Sequence, residues 1–346
     1  MARILYGVAG EGYGHSSRAK EIIEHLIKKG HVVKVISYGK GYEALSASFD
    51  VEEIFGLRFS YKNNEVRYLK TALRNFMLLP RVRQSVLKVI KLIDEFKLQI
   101  VFTDFEPVSC IAANIRKLPL ISIDNQHGLT RTKIEYPKKY KKDANAAMLV
   151  TKMIAFNAKE YMITDFYHGR IIKKKTSVFP PIVGKDIMSI KPQQKDFILV
   201  YSTSSSENLP AILKKINEKF VMYGYGLDKK DKTLQYKKSS RKEFIKDLSR
   251  CKGVIATAGL TLISEALYLR KPYLAIPIKG QFEQALNAYN LEKQGYGRYY
   301  EALDREKTES FLYNLSLYKK KLKEYKREGN LKIFKKVDSI LARIKR

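Results

Sequence analysis

The sequence predicts an α/β protein made of two Rossmann-like domains that face a central cleft. Three observations carry this expectation. Short strand-like apolar runs alternate with helix-like runs along nearly the whole chain, the pattern of parallel sheets covered by helices. The first run, ILYGV at residues 4–8, passes through the glycine-rich stretch AGEGYGHSSRA into a helical pattern, as the first turn of a Rossmann unit does. Midway, the alternation is interrupted by a proline-containing stretch and then begins again.

In the first half, strands are expected at residues 4–8, 32–36, 100–103, 120–123 and 161–164. Helices are expected at 19–29, 69–97 and 107–116. The stretch KKKTSVFPPIVGKDIMSIKPQQKD, residues 173–196, contains Pro180, Pro181, Gly184 and Pro192 and reads as the connection. This gives a first domain at 1–180, a linker at 181–196 and a second domain from 197. The second series runs through FILVYSTSSSEN (197–208), FVMYGYG (220–226), GVIATAG (253–259) and PYLAIPI (272–278). In the tail, Ile333, Val337, Ile340, Leu341 and Ile344 stand at helical spacing.

The 346 residues suffice for two domains of ordinary size. The two cysteines, Cys110 and Cys251, imply neither a disulfide framework nor a cysteine-rich zinc site, and fit a reducing cytoplasm. No apolar run approaches the ~18 residues that span a bilayer, so a cytoplasmic protein is expected, in solution or peripheral on the membrane. Lys and Arg number 66 against 35 Asp and Glu, a net charge of +31. Such a field draws anionic membranes, nucleic acid or other polyanions.

The first glycine loop is a poor dinucleotide site. Gly10, Gly12 and Gly14 are spaced G-x-G-x-G, and the second strand ends in Ser37 and Tyr38, with no acidic residue for a ribose. His15, placed just before the first helix, instead suits a general base, because an imidazole titrates near ~6.5. Asp104, ending the strand IVFTD, falls at the C-terminal edge of the same sheet and could orient it. Glu11 and Glu106 are alternative partners, and His127 in SIDNQHG is an alternative substrate contact. His25 and His31 read as structural or surface residues. No cluster has metal-ligand spacing.

The segment TAGLTLISEALYLRKPYLAIPIKGQFEQALNAYNLEKQGYG, residues 257–297, is the most informative. A strand ends in Thr257, Ala258 and Gly259. A helix then starts near Thr261, where its exposed amides can hold phosphate. Glu265 lies one turn in, where a carboxylate can grip two ribose hydroxyls. After the next strand, Pro277 and Gly280 turn the chain into a helix whose first turn offers Gln281, Glu283 and Gln284 to sugar hydroxyls.

This ordered set resembles the donor site of GT-B glycosyltransferases, closest to MurG-like (family 28-type) enzymes and their uncharacterised archaeal-type relatives. The resemblance spans nearly the whole chain. It implies that domain 1–180 binds the acceptor, that 197–324 binds a nucleotide-sugar, and that a final helix within 325–346 joins the first domain. It implies Thr257, Ala258, Gly259 and Leu260 around the diphosphate, Glu265 on the ribose, and Glu283 and Gln284 on the hexose, with Gln281 beside them and Asn287 supporting the loop. Gly12, Gly14, Glu11, Glu106 and His127 would form the acceptor side. The uracil-type base would lie near Tyr236 and Lys237. Relatives often carry a glycine-rich loop where this chain has STSSSEN, residues 202–208.

The expected function is therefore inverting, metal-independent transfer of a hexose-type sugar from a nucleotide donor, UDP-linked, to a lipid-linked or polyanionic acceptor, with no cofactor. Alternatives on the same fold are a DNA or other polymer glucosyltransferase, a nucleotide-sugar epimerase and a non-catalytic sugar-nucleotide-binding subunit. No recognition helix or base-reading motif favours nucleic acid. The stretch VRYLKTALRNFMLLPRVRQ, residues 66–84, interleaves cations with large apolar residues and reads as a membrane-interface segment or a core helix with a basic face.

Overall fold

The structure is a computed structural model that describes residues 1–56, 61–62, 65–66, 78–202, 208–238 and 240–344. It divides into two compact units: Met1–Ile182 with Glu328–Arg346, and Val183–Arg327.

The first unit is built on a seven-stranded parallel sheet. Its strands are β1 (Arg3–Val8), β2 (Val32–Ser37), β3 (Val51–Glu53), β6 (Ile100–Asp104), β7 (Leu120–Asp124), β8 (Glu160–Thr164) and β9 (Thr176–Phe179), in the order β3-β2-β1-β6-β7-β8-β9. A separate two-stranded pair, β4 (Tyr61–Lys62) and β5 (Glu65–Val66), precedes the helix Leu79–Glu95. The strand order reverses between β1 and β6, where Val8 pairs with Asp104. Crevices outside the C-terminal ends of strands at such a reversal are where α/β sheets bind ligands.

Successive residues of β1 serve opposite faces, so the strand reads as a continuous apolar run. Ile4, Tyr6 and Val8 pack against Ala19, Ile22, Ile23 and Leu26 of the helix Tyr13–Lys28. Ile333, Val337, Ile340 and Leu341 of the helix Leu331–Ile344 complete that layer. Leu5 faces the other way, toward Val89 of Leu79–Glu95 and Val108 of Pro107–Ile115. The tail helix is thus amphipathic because its apolar stripe forms part of the first unit's core. His25 Nε2 reaches its Asp338 at 2.7 Å, and His31 Nδ1 accepts the amide of Ala2, so both side chains serve the fold.

The second unit repeats the architecture with β10 (Ile198–Tyr201), β11 (Phe220–Tyr223), β12 (Lys229–Asp231), β13 (Leu234–Tyr236), β14 (Gly253–Thr257), β15 (Tyr273–Ile276) and β16 (Gly297–Tyr299). Their order is β12-β13-β11-β10-β14-β15-β16, parallel except for β12. Here the order reverses between β10 and β14. The strand Gly253–Thr257 and the helix Leu260–Tyr268 therefore meet at the crevice position of this sheet.

Several expectations need correction. The first helix begins at Tyr13, six residues earlier than its apolar spacing suggests, so His15 stands within its first turn and not before it. Gly12 is the N-cap at φ 82°, a conformation open to glycine. A Cβ on Gly10 would lie 1.8 Å from the Tyr38 carbonyl oxygen, so this glycine lets two loops pass in contact. The stretch 173–196 is not a plain connection. It contributes β9 to the first sheet and the helix Lys185–Ser189 to the second unit, where Gln193 and Lys195 bond to Ser249 and Arg250. Much of the interfacial stretch 66–84 (residues 67–77) and of STSSSEN (residues 203–207) lies outside the described residues.

Candidate active site

In the first unit, three side chains converge at the reversal of strand order. His15 and Arg18 stand one turn apart on the helix after β1, and residues spaced i, i+3 share a face. Asp104 closes β6 and is fully buried. His15 Nδ1 lies 2.7 Å from Asp104 Oδ1. Arg18 grips the same carboxylate bidentately, Nε to Oδ2 and Nη2 to Oδ1, each at 2.6 Å. Arg18 Nη2 also lies 2.9 Å from His15 Nδ1. Nδ1 facing a carboxylate at this distance is the protonated nitrogen, which leaves the lone pair of the neutral ring on Nε2. No described residue bonds Nε2, and the His15 side chain is 12% exposed. The geometry is that of a base whose tautomer and plane are fixed by a buried carboxylate.

The carboxylate that meets His15 is Asp104, and Glu106 is committed elsewhere. Its side chain caps the helix Pro107–Ile115, accepting the amides of Val108 at 2.8 Å and Ser109 at 2.6 Å. Burial pushes its pKa up, against those two amide bonds. Glu11 sits half-buried in the bend before the helix, and Gly14 lies one residue before His15 in the helix. His127 is not positioned for substrate. It is 3% exposed, with Nδ1 2.7 Å from Asp124 Oδ2 and Nε2 3.0 Å from the Ile154 carbonyl. Burial opposes ionisation of Asp124, but attraction and hydrogen bonds from His127, helped by Ser122, outweigh it and bring its pKa to about 2.

Two residues beside His127 do serve the site. Arg18 Nη1 donates to Asn125 Oδ1 at 2.9 Å and Nη2 reaches Gln126 Oε1 at 3.5 Å. Sequence reasoning overlooked Arg18, Asn125 and Gln126, although the spacing H-x-x-R on one helix face was the available signal. Phe105, immediately after Asp104, has φ 54°, a left-handed conformation that costs of order 1–3 kcal/mol outside glycine. Its ring stacks on His15 with centroids 6.4 Å apart and meets His127 edge-on at 6.0 Å.

In the second unit, β14 leads through Ala258 and the N-cap Gly259 into the helix Leu260–Tyr268, starting one residue earlier than expected. A Cβ on Gly259 would meet nothing within 4 Å, so the bare backbone leaves open space beside the helix end. The turn is held by three side chains. Tyr273 Oη donates to the Thr257 carbonyl at 2.6 Å, and Asn287 Nδ2 donates to the Ala258 carbonyl at 3.1 Å. Gln284 Oε1 accepts the amides of Ala258 at 3.2 Å and Ile278 at 3.1 Å.

That last contact corrects the reading of Gln284 as a hexose ligand. Its carbonyl clamps two loops together, and its amide donates to Gln281 Oε1 at 2.6 Å. Glu283 stands half-buried in the first turn of Phe282–Lys293, with Gln281 as N-cap. Glu265 is 3% exposed and ion-paired with Arg241, a partner not anticipated from sequence. Near the expected base position, Tyr236 is buried and Lys237 pairs with Asp247 at 2.6 Å. Among the described residues, no three His, Cys, Asp or Glu side chains gather to hold a metal ion, and no helix is long and apolar enough to cross a membrane.

Solved structures share this fold over nearly the full chain. The glycotransferase of kitacinnamycin superposes with a TM-score of 0.71 at 12% identity, covering 97% of this chain and 98% of that one. MurG of Acinetobacter baumannii gives 0.63 at 13% identity, covering 98% and 100%. Among sequence relatives, an uncharacterized glycosyltransferase of Methanosarcina acetivorans is 25% identical over 331 residues, 86% of this chain and 85% of that protein. The UDP-N-acetylglucosamine--N-acetylmuramyl-(pentapeptide) pyrophosphoryl-undecaprenol N-acetylglucosamine transferase of Clostridium tetani is 27% identical over 364 residues, 99% and 97%. Fold and relatives together define a GT-B, MurG-like glycosyltransferase. Residues 2–316 match the model described as glycosyl transferase family 1, and the chain belongs to that family.

Proposed function

We propose that this enzyme is an inverting, metal-independent hexosyltransferase that uses a nucleotide-sugar, UDP-linked, and delivers the sugar to a hydroxyl of a lipid-linked or polyanionic acceptor. The observation that carries this reading is His15, with Nδ1 held by Asp104 at 2.7 Å and Nε2 unbonded by described residues. In the reaction, Nε2 takes the acceptor's hydroxyl proton as its oxygen bonds to the anomeric carbon. The bond from that carbon to the diphosphate breaks, and its electron pair leaves on the phosphate oxygen. The amides at the start of Leu260–Tyr268 then stabilise the leaving group. Ala258 N is spent on Gln284, so Gly259 and Leu260 are the amides assigned to the diphosphate.

Glu265 is assigned to the ribose and Glu283 to the hexose. Gln284 and Asn287 keep the loop in shape. A UDP donor and a lipid-diphosphate acceptor are supported by the name of the Clostridium tetani relative. The charge of +31 supports an anionic acceptor or membrane surface. A thermal-shift and hydrolysis screen against nucleotide-sugars tests the reading. One UDP-sugar should stabilise the protein and be hydrolysed slowly, with both effects lost in Glu265→Ala and retained in excess chelator. No stabilisation by any nucleotide would overturn the donor assignment, and abolition by chelator would overturn metal independence.

A further inference from the structure

Arg241 opens the helix Arg241–Arg250 and spans two carboxylates. Its Nη2 donates to Glu265 Oε1 at 2.6 Å and its Nη1 to Oε2 at 3.2 Å. Its Nε donates to Asp186 Oδ2 at 3.1 Å. Asp186 is itself anchored, because its Oδ1 accepts the amide of Ile187 at 2.8 Å. The Glu265 side chain is only 4% exposed, whereas Arg241 is 46% exposed. A carboxylate accepts about four hydrogen bonds. A two-pronged guanidinium uses one position on each oxygen and leaves one on each for a ligand.

We propose that Arg241 is a positioning residue that holds Glu265 ionised and oriented as a paired acceptor for the two vicinal hydroxyls of a nucleotide ribose. This rests on the assignment of Glu265 to the ribose made above. A buried carboxylate without a counter-charge takes up a proton and turns one acceptor into a donor. The Glu265 pKa is raised overall: burial raises it most, the Arg241 charge and hydrogen bonds offset part of that rise, and Asp186 adds to it. The phenol of Tyr273, on β15, also feels the Glu265 charge. Removing the guanidinium leaves burial and Asp186 unopposed, so the proton is held to higher pH. Ribose recognition then fails on the acidic side and returns as the pH rises. Lysine supplies the charge without the fork.

The experiment is calorimetric titration of UDP and 2′-deoxy-UDP between pH 6 and 9 into wild type, Arg241→Gln, Arg241→Lys and Glu265→Gln. The wild type should prefer UDP by about tenfold or more, the scale of one hydrogen bond to a charged group, at every pH. Glu265→Gln should lose that preference at every pH. Arg241→Gln should lose it at pH 6 and regain it toward pH 9, with Arg241→Lys showing a smaller loss. Should Arg241→Gln fail to fold, the partial loss in Arg241→Lys carries the test. A wild-type, pH-independent preference in the Arg241 variants would overturn the inference about Arg241. An intact preference in Glu265→Gln would instead overturn the ribose assignment.

Discussion

Replacing His15 by glutamine is expected to lower glycosyl transfer by roughly 10²–10⁴-fold, the usual contribution of a positioned general base, while nucleotide affinity stays unchanged. Glutamine retains a polar group able to face Asp104 and leaves the fold intact, so the loss reports chemistry. The split between rate and binding follows from where the residues stand. His15 belongs to the first unit, and the helix assigned to the diphosphate belongs to the second. Initial-rate kinetics together with calorimetric binding of UDP check this. Wild-type turnover in the variant would remove His15 from the base role. Equal loss of turnover and nucleotide affinity would place it in donor binding instead.

Arg18→Met should be the most destabilising single substitution at this site. Asp104 is fully buried and the Arg18 side chain is 7% exposed, so removing the guanidinium leaves a buried carboxylate facing the His15 ring without its bidentate counter-charge. Breaking a buried pair from one side costs about 3–5 kcal/mol. Asn125 and Gln126 would lose their donor at the same time. The expected result is a marked fall in the first calorimetric unfolding transition, partly recovered when Asp104→Asn is added and the stranded charge is gone. A transition within about 1 kcal/mol of wild type would mean that the pair behaves like an exposed one. The double variant should also lose activity, since Asp104→Asn removes the carboxylate that holds the His15 ring.

The layered α/β organisation was legible because β1, β6 and β7 are apolar on both faces and alternate with helical spacing. The tail helix was legible for the same reason, from Ile333, Val337, Ile340 and Leu341. β9 escaped notice because three lysines precede it and two prolines follow, the flanks of a linker. Asp104 could be picked out because it closes β6, and His15 because it follows the glycine-rich loop at a helix start. Arg18 was harder to read: the H-x-x-R spacing puts it on the His15 face, but a charged residue on a helix ordinarily reads as solvated surface. The fold shows that this face of the helix turns toward a buried aspartate.

Gln284, Glu106 and His127 share one cause of misreading. A polar residue near a predicted site is read as facing the ligand, but buried backbone amides and carboxylates also require partners. Gln284 serves the amides of Ala258 and Ile278, Glu106 serves a helix start, and His127 serves Asp124. Sequence spacing places such residues at the site without saying which way they point. Glu265 shows the converse, because the carboxylate could be found and its Arg241 partner, 24 residues away in the chain, could not.

In the proposed reaction, displacement at the anomeric carbon is direct and assisted by His15. It is tested by the stereochemistry of the sugar released when water replaces the acceptor. An α-linked UDP-sugar should yield the β-anomer first, followed by proton NMR ahead of mutarotation. Initial release of the α-anomer would contradict inversion and the single-base mechanism built on His15 and Asp104.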